Sequence, residues 1–144
     1  MPNAESILEK KGGDVATVDR KTTVLDAAKT MNQRHIGAVV VTEGDRVVGI
    51  FTERDILNRV VAAGKDPMIT LLGEVMTSPM ACCRRDTRLA ECKTVMSQKR
   101  IRHLPVVEDG KLYGMISAGD ILASEVADQQ ATIEYLHEYL YGRR

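Results

Sequence analysis

The chain has 144 residues, with 20 basic and 20 acidic side chains, a formal net charge of zero, 44% hydrophobic and 28% charged residues. That balance belongs to a globular chain able to bury a core, and it lacks the cationic excess of a nucleic-acid binder. The three cysteines, Cys82, Cys83 and Cys92, show no Cys-x-x-Cys spacing; this argues against a disulfide framework or a zinc site and fits a reducing, cytoplasmic setting.

Taken in order, residues 1–13 form a lead, helical from Ser6 to Lys11 and stopped by Gly12-Gly13. The start lacks a charged segment followed by an apolar run, so no signal peptide is expected, and no apolar stretch is long enough to span a membrane. Val15 to Val18 reads as a short strand. Thr22 or Thr23 caps a helix to about Arg34, with Val24, Ala27, Ala28 and Met31 on one face. Ile36 to Val41 is an apolar strand, turned by Glu43-Gly44-Asp45 into a second strand, Arg46 to Phe51. A helix from Thr52 or Glu53 runs to about Ala63, before Gly64 and Pro67. Residues 65–77 are a connection.

The order then recurs. Met80 to Cys83 is a strand, Thr87 or Arg88 opens a helix to about Lys99, and Arg102 to Val107 forms a hairpin with Lys111 to Ile116 through Glu108-Asp109-Gly110. A helix follows from Ser117. Pro105 inside its strand argues for an edge position and releases neighbouring backbone groups. The tail from Glu125 is expected to be helical to Tyr141 and to stop at Gly142. Its stripe of Ile133, Leu136 and Leu140 faces either its own chain or a second copy.

The recurrence is a repeat with an offset of 65 residues. Arg20 aligns with Arg85, Met31 with Met96, Glu43 with Glu108, Gly49 with Gly114, and Asp55 with Asp120. A fixed internal period points to two copies of one unit, each β-α-β-β-α. The first copy spans residues 14–64 and the second residues 78–124, with residues 125–144 as a C-terminal helix. One copy alone leaves a sheet face wet, so the two are expected to pack about a pseudo-twofold axis as an α/β (α+β) fold. Two related clefts result at the seam.

The most informative stretch is Gly-x-x-Thr/Ser-x-x-Asp, present as Gly49 to Asp55 and Gly114 to Asp120. Two readings compete. Thr52 with Asp55, and Ser117 with Asp120, can be capping boxes that need no ligand. Alternatively, the helix start offers amides and a hydroxyl to a phosphate, while the carboxylate one turn on accepts the two hydroxyls of a ribose.

These motifs, with Arg102-His103-Leu104-Pro105-Val106, resemble a tandem pair of cystathionine beta-synthase (CBS) domains, the Bateman module, of the stand-alone bacterial signalling type. The resemblance covers roughly residues 14–124. It implies a regulatory adenosyl-ligand site with AMP or NAD foremost and ATP, ADP or S-adenosylmethionine as alternatives, without a metal. Asp55 and Asp120 would hold ribose, and Thr52 and Ser117 ribose or phosphate. The adenine would lie between Thr17-Val18 and Ile36, Gly37 and Ala38 in one half. In the other it would lie between Cys82-Cys83 and Arg102, His103, Leu104 and Pro105. Arg54, Arg102 and His103 are candidates for phosphate.

The resemblance further implies energy or redox sensing and signalling to an unidentified regulated protein. Apolar surface on one face of the module and on the tail helix points to a homodimer, and the charge balance and hydropathy point to neither nucleic acid nor membrane as partner. Two other classes remain open. A nucleotide-acting enzyme finds little support, because neither a nucleophile–base pair nor a metal cluster accompanies either Asp. An interaction scaffold would need both carboxylates only as caps.

Overall fold

The computed structural model describes residues 1–141. Its elements are α1 (Ala4–Lys11), β1 (Thr17–Asp19), α2 (Val24–Arg34), β2 (Ala38–Glu43), β3 (Arg46–Thr52), α3 (Glu53–Asp55), α4 (Leu72–Val75), α5 (Leu89–Lys99), β4 (His103–Glu108), β5 (Lys111–Ser117) and α6 (Ala118–Tyr141). Beyond α3 the chain continues as a wider helix over Ile56–Val61, with Ala62 N–H donating to the Leu57 carbonyl and Lys65 N–H to that of Val60. The expected stop at Gly142 lies outside the described residues.

The hairpins are closed by residues suited to them. Asp109 and Gly110 both adopt positive φ, as a type I′ loop requires, whereas in the first hairpin only Gly44 does. Each hairpin carries one register shift, after Val41 and after Val106, at equivalent places in the repeat. A repeated ion pair ties each first segment to its hairpin. Arg20 meets Glu43 at 2.8 Å, and Arg85 meets Glu108 at 2.9 Å. The Arg85 guanidinium also lies 4.1 Å from the centre of the Tyr113 ring. Arg85 is therefore both paired and stacked.

The halves differ in their sheets. The first is three-stranded in the order β1-β2-β3, with β1 parallel to β2. In the second, β4 and β5 pair alone, and the expected strand Met80 to Cys83 shrinks to a single parallel bridge from Cys83 to Val106. The cause is Pro105. Its counterpart Val40 donates its N–H to the Ala16 carbonyl at 3.0 Å. Proline has no N–H to give the Ala81 carbonyl, so the ladder ends after one step. Pro105 is not at an edge: it pairs with Met115 on one side, while its carbonyl accepts from Cys83 N–H on the other.

Three apolar clusters hold the molecule. The first half packs Val24, Ala27, Met31, Val39, Val41 and Phe51 together with Leu72 and Val75. The second packs Leu89, Cys92, Met96, Leu104, Val106 and Ile116 with Ala4 and Ile7. Between them, Ala38, Val40 and Ile50 meet Met115, flanked by Val15, Val47, Met80 and Leu112. Each half thus borrows a short helix from the other. Ala4 and Leu72 are fully buried, and each such side chain leaving water contributes to stability in proportion to its apolar area.

Equivalent backbone bonds fix the exchange. Leu72 N–H donates to the Thr22 carbonyl, and Ala4 N–H to that of Thr87, both at 2.9 Å. The expected separate lead is therefore part of the second half's core. The expected tail helix is not separate either, since α6 runs unbroken from Ala118 to Tyr141. Its stripe does not fold back on the chain: Ile133, Leu136 and Leu140 are all exposed.

Candidate functional site

Each acidic corner sits where the last hairpin strand enters a helix. In the first half Ala38 lies opposite Thr52, and in the second His103 lies opposite Ser117. The Gly37 carbonyl accepts from Glu53 N–H at 3.0 Å, and the Arg102 carbonyl from Ala118 N–H at 2.9 Å. The fold therefore brings together Gly37, Ala38, Thr52 and Asp55 at one corner, and Arg102, His103, Ser117 and Asp120 at the other.

Both corners are capping boxes. Asp55 Oδ2 accepts from Thr52 N–H at 3.0 Å, while Thr52 Oγ1 accepts from Asp55 N–H at 3.3 Å. Asp120 Oδ2 accepts from Ser117 N–H at 2.8 Å, and Ser117 Oγ accepts from Asp120 N–H at 3.0 Å. A cap of this kind stabilises a helix by ~1 kcal/mol without any ligand.

The corners differ in what else reaches them. Asp55 is buried, 7% exposed, and Oδ1 accepts from the Thr77 hydroxyl at 3.1 Å with the Arg59 guanidinium 3.5 Å away. Arg59 is itself anchored on the Met76 carbonyl at 2.9 Å. Asp120 instead receives Lys11 from α1. The ammonium lies 2.8 Å from Asp120 Oδ2 and 3.0 Å from the Met115 carbonyl. Among the described residues no hydrogen bond reaches Asp120 Oδ1. The Lys11 and Asp120 side chains are 39% and 24% exposed. Burial alone would raise the Asp120 pKa, but the Lys11 ammonium and the Ser117 amide and hydroxyl outweigh it and hold the carboxyl below its ordinary value.

The two corners approach one another through His103. A Cβ added to Gly37 would stand 3.3 Å from both the His103 ring and the Glu53 carboxylate. Burial holds His103 below its ordinary pKa, opposed by the charges of Glu53 and Asp120 and reinforced by those of Lys11 and Arg102. This mixed-charge group spans the seam.

The remaining expected site residues are scattered. Thr17 lines a groove of about 390 Å³ between the two hairpin loops, with Asp45, Asp109 and Lys111. Cys82 and Leu104 line a second groove of about 310 Å³ with Cys83, Arg84, Glu91 and Cys92. Neither groove includes Asp55 or Asp120. Arg54 is exposed, Val18 and Ile36 are partly buried, and Pro105 is in the core. Among the described residues no group of His, Cys, Asp or Glu could hold a metal ion.

The sequence reading missed Lys11, Thr77, Arg59 and Glu53. It also missed why Gly49 and Gly114 are glycines. A Cβ at Gly49 would come within 2.8 Å of Met76 Sδ and of the Thr77 carbonyl oxygen, and one at Gly114 within 2.5 Å of a Leu8 methyl. The repeated glycine is where each borrowed segment crosses the other half's hairpin. The repeat signalled that position; the crossing segment lies far away in sequence.

An α+β module of two pseudo-symmetric halves, with an acidic capping corner in each, is the arrangement of a tandem-repeat regulatory domain. The chain belongs to the CBS domain family, whose model matches residues 6–62 and 72–126. Both matches take in more of the borrowed helices than the repeat boundaries expected from the sequence. The chain is similar to a solved structure from Burkholderia ambifaria MC40-6, described as a candidate signal-transduction protein with CBS domains. The two share 37% identity at a TM-score of 0.85, over 89% of this chain and 96% of that one. It is 32% identical to the CBS domain-containing protein YhcV of Bacillus subtilis, over 88% of this chain and 89% of YhcV. It is 34% identical to the mitochondrial CBS domain-containing protein CBSX3 of Arabidopsis thaliana, over 83% of this chain but 61% of that protein's length.

Proposed function

We propose that the chain is a non-enzymatic regulatory module that binds an adenine nucleotide, AMP or NAD foremost, at the Asp120 corner and transmits occupancy to a partner protein. The observation that carries this is the asymmetry of the two carboxylates. Asp55 has both oxygens engaged inside the protein, whereas Asp120 Oδ1 has no bond among the described residues and Oδ2 shares an exposed ammonium. A ribose diol needs an accessible carboxylate. Arg102, on the adjoining segment, supplies a cation for phosphate, and the long α6 begins at the same place. Membership in the CBS family, and likeness to a protein described as a candidate for signal transduction, support the same reading.

Thermal shift and calorimetry of the purified protein with AMP, ATP, NAD and S-adenosylmethionine test it. A ligand at 100 times its Kd adds ~2.7 kcal/mol, and Asp120→Ala abolishes that gain while keeping the fold. The proposal fails if no adenosyl compound shifts the transition.

The module is further proposed to be a homodimer in the cytoplasm. Leu57 and Leu122 are 60% and 61% exposed, Val61 and Val126 66% and 53%. These are repeat equivalents, so each half offers the same pair of exposed apolar side chains to a second copy. Sedimentation of Leu122→Glu as a monomer checks this.

The scaffold reading retains one observation in its favour: both carboxylates already bond their own cap amides. It is the reading that survives if every adenosyl compound leaves the protein unchanged.

A further inference from the structure

We infer that Lys11 is a tethered counter-ion that selects 5′-phosphorylated adenosines over uncharged ones by exchanging Asp120 for the ligand's phosphate. This rests on the reading of the Asp120 corner as a nucleotide site.

The free protein keeps the corner neutral with its own cation. The Lys11 ammonium sits on Asp120 Oδ2 and the Met115 carbonyl, and it comes from the far end of the chain, 109 residues away. Its helix is held independently of that contact. Ala4 and Ile7 are buried in the second half's core, Ala4 and Glu5 amides donate to the Thr87 and Arg85 carbonyls, and Asn3 closes a capping box with Ser6. Lys11 is the last residue of α1, followed by Gly12 at φ 88. The ammonium is thus on a flexible stem at the end of a fixed helix.

A ribose diol that bonds both Asp120 oxygens takes the free Oδ1 and competes with Lys11 for Oδ2. If the ligand is adenosine, the ammonium loses its carboxylate and gains nothing, so binding is opposed. If the ligand is a nucleoside 5′-phosphate, the phosphate arrives one sugar ring from the diol, within the swing of the lysine stem. The ammonium then exchanges one anion for another of higher charge. Among the described residues the first half has no such device. Its borrowed helix ends at Val75, and its acidic corner is closed by the Thr77 hydroxyl on the borrowed segment and by Arg59 from its own half.

Calorimetric titration of the full chain with AMP and with adenosine is the test, in the wild type, Lys11→Met and Lys11→Arg. The wild type is expected to bind AMP at least tenfold more tightly than adenosine. Lys11→Met should tighten adenosine and weaken AMP, bringing the ratio within about threefold, and Lys11→Arg should keep the wild-type order. Lys11→Gln stands in if Lys11→Met melts early. A ratio unchanged by loss of the ammonium overturns this inference and leaves the nucleotide site standing. Absence of binding by either ligand to every variant overturns both.

Discussion

The two acidic corners share a motif, a capping box and a position in the repeat, yet one is sealed and the other is guarded. At Asp55 the borrowed segment leaves its helix after Val75, pairs with Ile50 through Thr77, and lays the Thr77 hydroxyl on the carboxylate. At Asp120 the borrowed helix runs on to Lys11 and delivers an ammonium instead. A buried carboxylate held by the Thr52 amide, the Thr77 hydroxyl and Arg59 is an internal strut. A half-open carboxylate with one exposed cation is exchangeable. The lesson is that the length of a helix lent by the opposite half, rather than the motif itself, decides which carboxylate stays accessible.

The sharpest way to break that comparison is to remove each carboxylate. Asp55→Ala leaves the Thr52 amide and Thr77 hydroxyl without their acceptor and should lower stability by ~3 kcal/mol in urea unfolding. Asp120→Ala should cost only the cap, ~1 kcal/mol. Equal losses would show that the two corners are structurally alike.

Next come the glycines beneath the crossing segments. Gly49→Ala drives a methyl against the Thr77 backbone oxygen, which cannot yield without moving the chain, and should cost ~2 kcal/mol. Gly114→Ala meets only the end of the Leu8 side chain, which can rotate away, and should cost less than ~1 kcal/mol. Thermal melts that reverse this order would contradict the crossing geometry.

The sheets give a third, smaller contrast. Val40→Pro removes the donor to the Ala16 carbonyl and should cost ~2 kcal/mol. Pro105→Val supplies an N–H that the second half lacks, while adding freedom to the unfolded chain, so its stability should change by less than ~1 kcal/mol. Hydrogen exchange should nevertheless show the new amide protected. A freely exchanging amide there would mean that something besides the missing donor ends the ladder.

The smallest expected effect is on pH. Burial sets the folded His103 pKa below 6.5. The unfolded chain therefore binds the proton first as pH falls, so this residue's contribution is fully present above 6.5 and declines below it. Stability measured at pH 7.5 and 5.5 should drop on acidification, and His103→Gln should flatten the drop. Because Ala38 occupies the equivalent place, no matching effect arises from the first half.

Much of this was legible in the residues. The 65-residue offset, the hairpin loops, the capping spacing of Thr52 with Asp55 and the loss of a donor at Pro105 are all local facts. Local backbone and side-chain preferences act over a few residues, so a sequence reports them directly. The family resemblance grouped Arg102, His103, Ser117 and Asp120 around one expected ligand, and the four lie at one strand end.

What the sequence left open was settled by packing between distant segments. Lys11 reaches Asp120 across 109 residues, and Thr77 reaches Asp55 across 22. Neither contact has a local signature, because a short amphipathic helix shows which of its faces is apolar but not which core will bury it. Two half-sheets, each too small to cover itself, exchange their lead helices, and that exchange helps make one acidic corner a strut and leaves the other open.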